Sequence, residues 1–240
     1  MTSHYNTHGI TMKLHIKPHR IYAIIPARNE KKNIGRVVQK VKSHIKDVIV
    51  VDDGSTDGTG KKAEGSGAFV LRHIINLGKG AALKTGCDYA IEHGADILIV
   101  LDADGQHDPA EIPLFLKALK GNDIVIGARK FNQSMPKILL VGNWLINRVT
   151  EMLYNVRIKD SLCGYRAFTK YAYSKIRWNV SDYSMESEMV ANVGRHKLKY
   201  KQVEIATIYS DKYKGTTVFD GFKIVLDLLY WKLRGNGFAK

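Results

Sequence analysis

Between residues 21 and 130 the chain repeats one pattern: a short apolar run rich in β-branched residues, a polar turn, then apolar residues at helical spacing. Ile21–Pro26 (IYAIIP), Asp47–Val51 (DVIVV), Ala68–Arg72, Asp96–Leu101 (DILIVL) and Asp123–Gly127 read as strands. Helices are expected near Glu30–Ile45, Lys79–His93 and Pro109–Lys120, with a short one before the third strand. Strands apolar at consecutive positions are buried on both faces, and the helices between them imply parallel neighbours. The pattern predicts an α/β fold: a mostly parallel sheet flanked by helices.

After residue 130 the character changes. Pro136–Asn155 reads as a helix apolar nearly all round, and Asp160–Lys170 as a compact DSLCGYRAFTK segment. A helix near Met185–Arg195 and a strand within Leu198–Tyr209 follow. The last helix, about Thr216–Leu233, puts Val218, Phe222, Val225, Leu229 and Leu233 on one stripe. We expect a disordered leader over 1–19, one catalytic-sized domain over 20–210, and an amphipathic helix with a basic tail over 211–240.

Hydrophobic residues at 45% and charged residues at 25% exclude global disorder and collagen. Two cysteines, Cys87 and Cys163, make neither a stapled secreted scaffold nor a zinc motif, which suggests a reduced, cytoplasmic setting. The net charge is +14, and it is uneven: residues 1–120 carry 17 basic and 13 acidic groups, residues 121–240 carry 20 and 10. Such asymmetry points to an anionic partner, whether nucleic acid, an acidic membrane surface or a phosphorylated substrate. The longest charge-free apolar stretch, Ile138–Asn147, falls well short of the roughly 20 residues a spanning helix needs.

In open α/β sheets, ligands bind beyond the carboxyl ends of the strands, and three polar clusters lie there. Asp102-Ala103-Asp104-Gly105-Gln106-His107 ends the fourth strand, and two acids at i and i+2 with Gln106 offer the hard oxygen ligands that Mg²⁺ or Mn²⁺ takes. Asp108 suits a cap for the helix opened by Pro109. After the second strand, Asp53 can accept from the N–H groups of a base, while Ser55-Thr56-Asp57 reads as an ordinary Asx-turn. Pro26-Ala27-Arg28-Asn29-Glu30 follows the first strand, with Asn29 as an expected helix cap. Gly78-Lys79-Gly80 opens a helix as an anion site. Neither a P-loop nor a Rossmann glycine fingerprint is present.

Taken in order, IIPARNE, VVDDGSTDGT, GKGAA, DADGQHDP, the GAR at Gly127–Arg129 and the DSLCGYRAF run from Asp160 resemble the family 2 glycosyltransferases of GT-A fold, nearest their polyprenyl- or dolichol-phosphate mannose and glucose synthases. The resemblance spans about residues 21–210. It implies a nucleotide pocket at Pro26, Ala27, Arg28, Glu30, Val51 and Asp53, with Lys79 and Lys212 as further donor contacts. Leu101, Asp102, Ala103, Asp104 and Gln106 match the segment that holds the metal and diphosphate, the metal falling to Asp102, Asp104 and Gln106. Arg129 matches an arginine facing the donor phosphates, so Asp104 and Arg129 are the expected catalytic pair.

The chain departs from the family at several positions, and Lys137 is the nearest candidate for the arginine expected to begin the apolar helix at 136–155. Arg28 stands where a tyrosine is usual, Lys212 replaces an arginine, and Val218 replaces a lysine. The implied activity is metal-dependent, inverting transfer of a hexose from a GDP-mannose or UDP-glucose type donor to a polyprenyl or dolichyl phosphate. A soluble or glycan hydroxyl acceptor, with Glu186 or Asp160 as base, is the alternative. A lipid acceptor implies peripheral attachment at the cytoplasmic face of a membrane through the helix at 136–155 and the C-terminal helix, or a membrane-anchored or second-subunit partner. Nucleic acid is not expected, because acidic clusters occupy the rim a phosphate backbone would need. Tyr165 and Arg166 are candidates for the sugar pocket, His107 is expected at the rim, and Cys163 is expected to pack.

Overall fold

The computed structural model of the chain describes residues 6–7, 10–11, 19–130, 137–206 and 218–234, with the side chains of 6–7, 10–11, 137–140 and 218–220 excepted. Within the expected leader, β1 (Asn6–Thr7) pairs antiparallel with β2 (Ile10–Thr11), a local ladder where disorder was expected. The apolar runs form β3 (Ile21–Ala27), β4 (Asp47–Asp53), β5 (Phe69–His73), β6 (Ile97–Val100) and β7 (Ile124–Arg129). With β8 (Arg166–Thr169) and β9 (Tyr200–Ile205) they make a seven-stranded sheet in the order β5-β4-β3-β6-β8-β7-β9.

Ile24 lies opposite Ile49 on one side and Val100 on the other, in parallel register. Within this sheet, among the described residues, only β8 runs against its neighbours, β6 and β7. Neither β8 nor the helix after it, α6 (Lys170–Ile176), was legible in the sequence. RAFT is too short to show a period, and its pairing comes from β6 and β7 on either side.

Helices cover both faces. On one, α1 (Lys31–Lys42), α2 (Thr59–Glu64) and α4 (Ile112–Leu119) pack on Ile25, Val48, Val50 and Val125. Ile34, Val37, Val38 and Val41 of α1 are wholly buried, each contributing roughly 1.5–3 kcal/mol. On the other face lie α3 (Lys79–Glu92), α5 (Lys137–Tyr154), α7 (Met185–Arg195) and α8 (Val218–Leu233). A Cβ at Gly86 would stand 2.5 Å from Ile24 Cγ2, so α3 lies closer to the sheet there than any side chain permits. Pro109–Glu111 is a 3-10 turn ahead of α4, and Asp108 caps it by accepting from Ala110 N at 3.2 Å, as expected.

The last helix brings a surprise of orientation. Its buried side chains are Ile224, Leu228 and Trp231, while Phe222, Leu229 and Leu233 of the apolar stripe face outward.

Candidate active site

The first two turns at the sheet's carboxyl edge are stitched together rather than capped locally. Asn29 takes a left-handed conformation (φ 53°), and its Oδ1 accepts from Thr56 N instead of capping α1. The α1 N-terminus is tied by the next loop: Glu30 N donates to Thr59 Oγ1 and Lys31 N to Asp57 Oδ2. An Asx-turn forms over 57–59, displaced from the 55–57 stretch expected, with Thr59 N donating to Asp57 Oδ1 at 2.9 Å. Arg28 is left exposed at the rim, with Glu30 buried beside it.

Asp53 at the tip of β4 gathers a loop. Its Oδ1 accepts from Leu77 N at 2.8 Å and bonds His73 Nδ1 at 2.8 Å, and its Oδ2 accepts from Gly78 N at 2.9 Å. With the Asn76 amide turned to satisfy both neighbours, it donates to Asp53 Oδ2 and accepts from Arg28. Asp53 thus fixes residues 73–78 as one wall of the cleft. Pro26, Ala27, Val51, Leu101 and Ala103 are buried, so their contribution to the cleft is the course of the backbone. Lys212 lies outside the described residues.

At the centre stands Lys79. Its Nζ lies 2.8 Å from Asp102 Oδ1 and 2.9 Å from Glu186 Oε1, which joins β6, α3 and α7. The expected anion site at the start of α3 is therefore occupied by protein. Gly80 N and Ala81 N donate to Ser181 O, and a Cβ at Gly80 would stand 2.6 Å from Val180 O. Burial favours the neutral lysine, but the two carboxylates outweigh it and raise the Lys79 pKa above its ordinary value. Burial likewise opposes the charged form of Asp102, yet Lys79 and His107 hold this carboxyl at about 2.

Asp104 is shifted the other way. Burial and the neighbouring Asp102 charge push it up to about 6, although Gln106 N donates to its Oδ1 at 2.9 Å. His107 is buried, and its Nδ1 accepts from Asp102 N at 3.2 Å. Burial brings its pKa down to about 4, so the ring is neutral at pH 7.

Arg129 at the end of β7 is gripped by the buried Asp160: Nε to Oδ2 at 2.6 Å and an Nη to Oδ1 at 2.9 Å. Asn143 of α5 donates to the same carboxylate. Tyr165 and Arg166 do not line the cleft. Tyr165 stacks on Phe115, and Arg166, wholly buried, donates to the carbonyls of Ser161, Cys163 and Glu186. That guanidinium joins the 161–163 segment to α7 and so sets the position of Glu186. Glu188 straps Asn179 N and Val180 N. Cys163 packs as expected, with burial pushing its thiol up to about 12.

Asp102 and Asp104 suit a divalent cation chemically. Two carboxylates crowded enough to raise one pKa are relieved by a hard cation. Among the described residues no three His, Cys, Asp or Glu side chains form a metal cluster, so further oxygens would have to come from Gln106 and a diphosphate. This donor set is the one Mg²⁺ accepts at nucleotide sites.

Against known proteins, residues 22–177 match the model of glycosyl transferase family 2. The chain belongs to that family. It is 34% identical over 89% of its length, and 96% of the relative's, to a UDP-N-acetylglucosamine–dolichyl-phosphate N-acetylglucosaminyltransferase of Methanococcus voltae. It is 29% identical to a polyprenol monophosphomannose synthase of Mycolicibacterium smegmatis, covering 90% of this chain and 88% of that one. Its fold superposes on a glucosyl-3-phosphoglycerate synthase of Mycobacterium tuberculosis, solved with Mn²⁺, UDP-glucose and phosphoglyceric acid, with a TM-score of 0.70 at 19% identity over 89% of this chain and 79% of that one. The architecture is the GT-A fold of these transferases.

Within this family 2 transferase, the sequence exposed Asp102, Asp104 and Lys79 but hid their linkage. Glu186, 84 residues beyond Asp102 and a candidate base in the sequence, pairs with Lys79 through Oε1. His73 and Asn76, which hold Asp53, carry no motif at all.

Proposed function

We propose that the chain transfers a hexose, with inversion, from a GDP-mannose or UDP-glucose type donor to a polyprenyl or dolichyl phosphate. The observation that carries the acceptor assignment is the state of the two carboxylates a hydroxyl acceptor would need. Both oxygens of Asp160 are engaged by Arg129, and Glu186 is buried beneath Lys79. A phosphate acceptor needs no base. Its oxygen attacks the anomeric carbon, the bond to the β-phosphate oxygen breaks, and the nucleoside diphosphate leaves with both electrons. The lipid-phosphate relatives support the same reading.

Chain residues supply most of the geometry. The wall fixed by Asp53, together with Arg28 and Glu30, would receive the nucleoside. Lys79 and Arg129 would bring positive charge to a site where two anions must meet. Asp102 and Asp104, with Gln106, would hold Mg²⁺ or Mn²⁺, whose chemistry is to neutralise the leaving diphosphate. Melting the protein with GDP- and UDP-sugars, with and without Mn²⁺, should show a rise that needs both sugar nucleotide and metal. Transfer should then occur to a short polyprenyl phosphate. Transfer to a soluble alcohol alone would overturn the acceptor assignment.

The lipid has to be met at a surface. Among the described residues no helix is long and apolar enough to cross a membrane. Val141, Trp144, Leu145 and Met152 of α5 and Phe222, Leu226 and Leu233 of α8 are exposed on two helices that pack together. We assign this apolar face to peripheral contact with a bilayer, on its cytoplasmic side. Trp144→Glu with Phe222→Glu should abolish flotation with neutral liposomes while leaving transfer to a short soluble acceptor intact. Undiminished flotation would remove the face from consideration.

A further inference from the structure

Beside the reaction centre, at the β7–β9 edge of the sheet, lies a cavity of about 670 Å³. Its lining includes Arg129, Lys130, Arg148, Arg157 and Lys159. Two acids, Glu151 and Glu204, face the same space, and each is held by two of these cations. Arg157 and Arg148 reach Glu151 at 2.6 and 3.1 Å, and Lys159 and Lys130 reach Glu204 at 3.3 and 4.0 Å. The acids fix the positions of the basic groups without matching their number. With Arg129 paired to Asp160, the cavity keeps two positive charges in excess around a space large enough for a phosphate.

It shares Arg129 with the reaction centre, and the rest of its lining lies away from the two aspartates. Asp102 and Asp104 follow β6, whereas this cavity is bounded by the ends of β7 and β9, with β8 between β6 and β7. One wall is Trp144, 58% exposed, which also belongs to the apolar face of α5. The Arg148 guanidinium carbon lies 5.9 Å from the centre of that ring. An amphipathic tryptophan next to clustered arginines and lysines is the arrangement that seats at the headgroup level of a bilayer.

We propose that this cavity binds the phosphate of an anionic phospholipid headgroup and so sets the orientation of the protein on the membrane. The proposal rests on the bilayer contact argued above, but on neither the sugar nor the acceptor. Arginine forks match phosphate oxygens two at a time, and basic residues near an anionic surface each strengthen its attraction. The acceptor phosphate would react at the neighbouring centre, while a lipid that does not react would occupy this cavity.

The test uses the full chain and vesicles of phosphatidylcholine, with and without phosphatidylglycerol. Arg157→Glu with Lys159→Glu changes two exposed side chains outside the catalytic machinery. This variant should partition onto the anionic vesicles at least about 30-fold more weakly than the parent. Its partition onto phosphatidylcholine alone, and its transfer to a short soluble acceptor, should not change. Lys61→Glu with Lys62→Glu, exposed on α2 at the far side of the sheet, makes the same charge change and should cost less than about threefold.

Equal losses in the two variants would reduce the effect to net charge and overturn the proposal. Unchanged anionic binding by the cavity variant would overturn it as well. If inorganic phosphate raises the melting temperature of the parent but not of the cavity variant, while both bind vesicles equally, the site is one for free phosphate and the lipid assignment fails. Loss of transfer with vesicle binding retained would instead count against the acceptor reading.

Discussion

Asp104→Asn is expected to lower kcat by about 10²–10³-fold and, in chelator, to make the protein more stable at neutral pH. The two effects share one cause. Burial and Asp102 raise the Asp104 carboxyl to about 6 from an ordinary 3.8, so folding favours its protonated form. A raised carboxyl contributes its full stability below pH 3.8 and loses it as pH rises through 6. At pH 7 the metal-free protein bears a charge it would rather shed, a cost of about 3 kcal/mol. Asparagine removes that charge.

The parent alone would not show the slope clearly, because His107 works in the opposite sense. Its pKa falls from 6.5 to about 4, so its contribution is present above 6.5 and is lost as pH drops through 4. The difference between variant and parent isolates Asp104: it should grow from pH 4 to pH 6 and then level off. Urea unfolding in chelator across this range reads it directly. Adding Mn²⁺ should stabilise the parent and leave the asparagine protein nearly unmoved. A variant as active as the parent, or no more stable at pH 7, would remove Asp104 from the role assigned to it.

How much of this could be read beforehand depends on how local each feature is. The five strands up to residue 130 and the α7 helix are written in continuous runs or clear periods, and they appear within a residue or two of expectation. The carboxyl-edge clusters were equally legible, since a strand end followed by acids and glycine needs no partner to be recognised. What escaped was set by contacts across long sequence gaps. β8 is a strand because β6 and β7 flank it. Asn29 gave up its capping role because Thr56, Thr59 and Asp57 arrived from the next loop. The stripe on α8 was correctly seen as apolar, yet periodicity cannot say whether such a stripe faces a core or a surface. Packing chose Ile224, Leu228 and Trp231 for the core.

Lys79→Met should destabilise the protein by about 3–5 kcal/mol at pH 7, among the largest effects a single change can have here. Methionine fills the volume but leaves Asp102 and Glu186 facing each other without the ammonium that lies within 3 Å of both. The loss should shrink in acid. Lys79 keeps the Asp102 carboxyl near 2, so the parent loses this contribution as pH falls from 3.8 through 2, whereas the variant has none to lose. A second change, Glu186→Gln, separates charge from shape. If the bridge is what matters, Lys79→Met with Glu186→Gln should be more stable than Lys79→Met alone, a coupling of at least about 1 kcal/mol in a double-mutant cycle. Additive losses would mean that Lys79 supports the fold through packing. Turnover answers a different question with the same proteins. Recovered stability without recovered turnover would place the ammonium on the donor diphosphate during reaction, since a cation needed only to hold two acids apart is dispensable once one of them is neutral. Recovery of both would confine Lys79 to architecture and leave Arg129 as the cation that meets the phosphates.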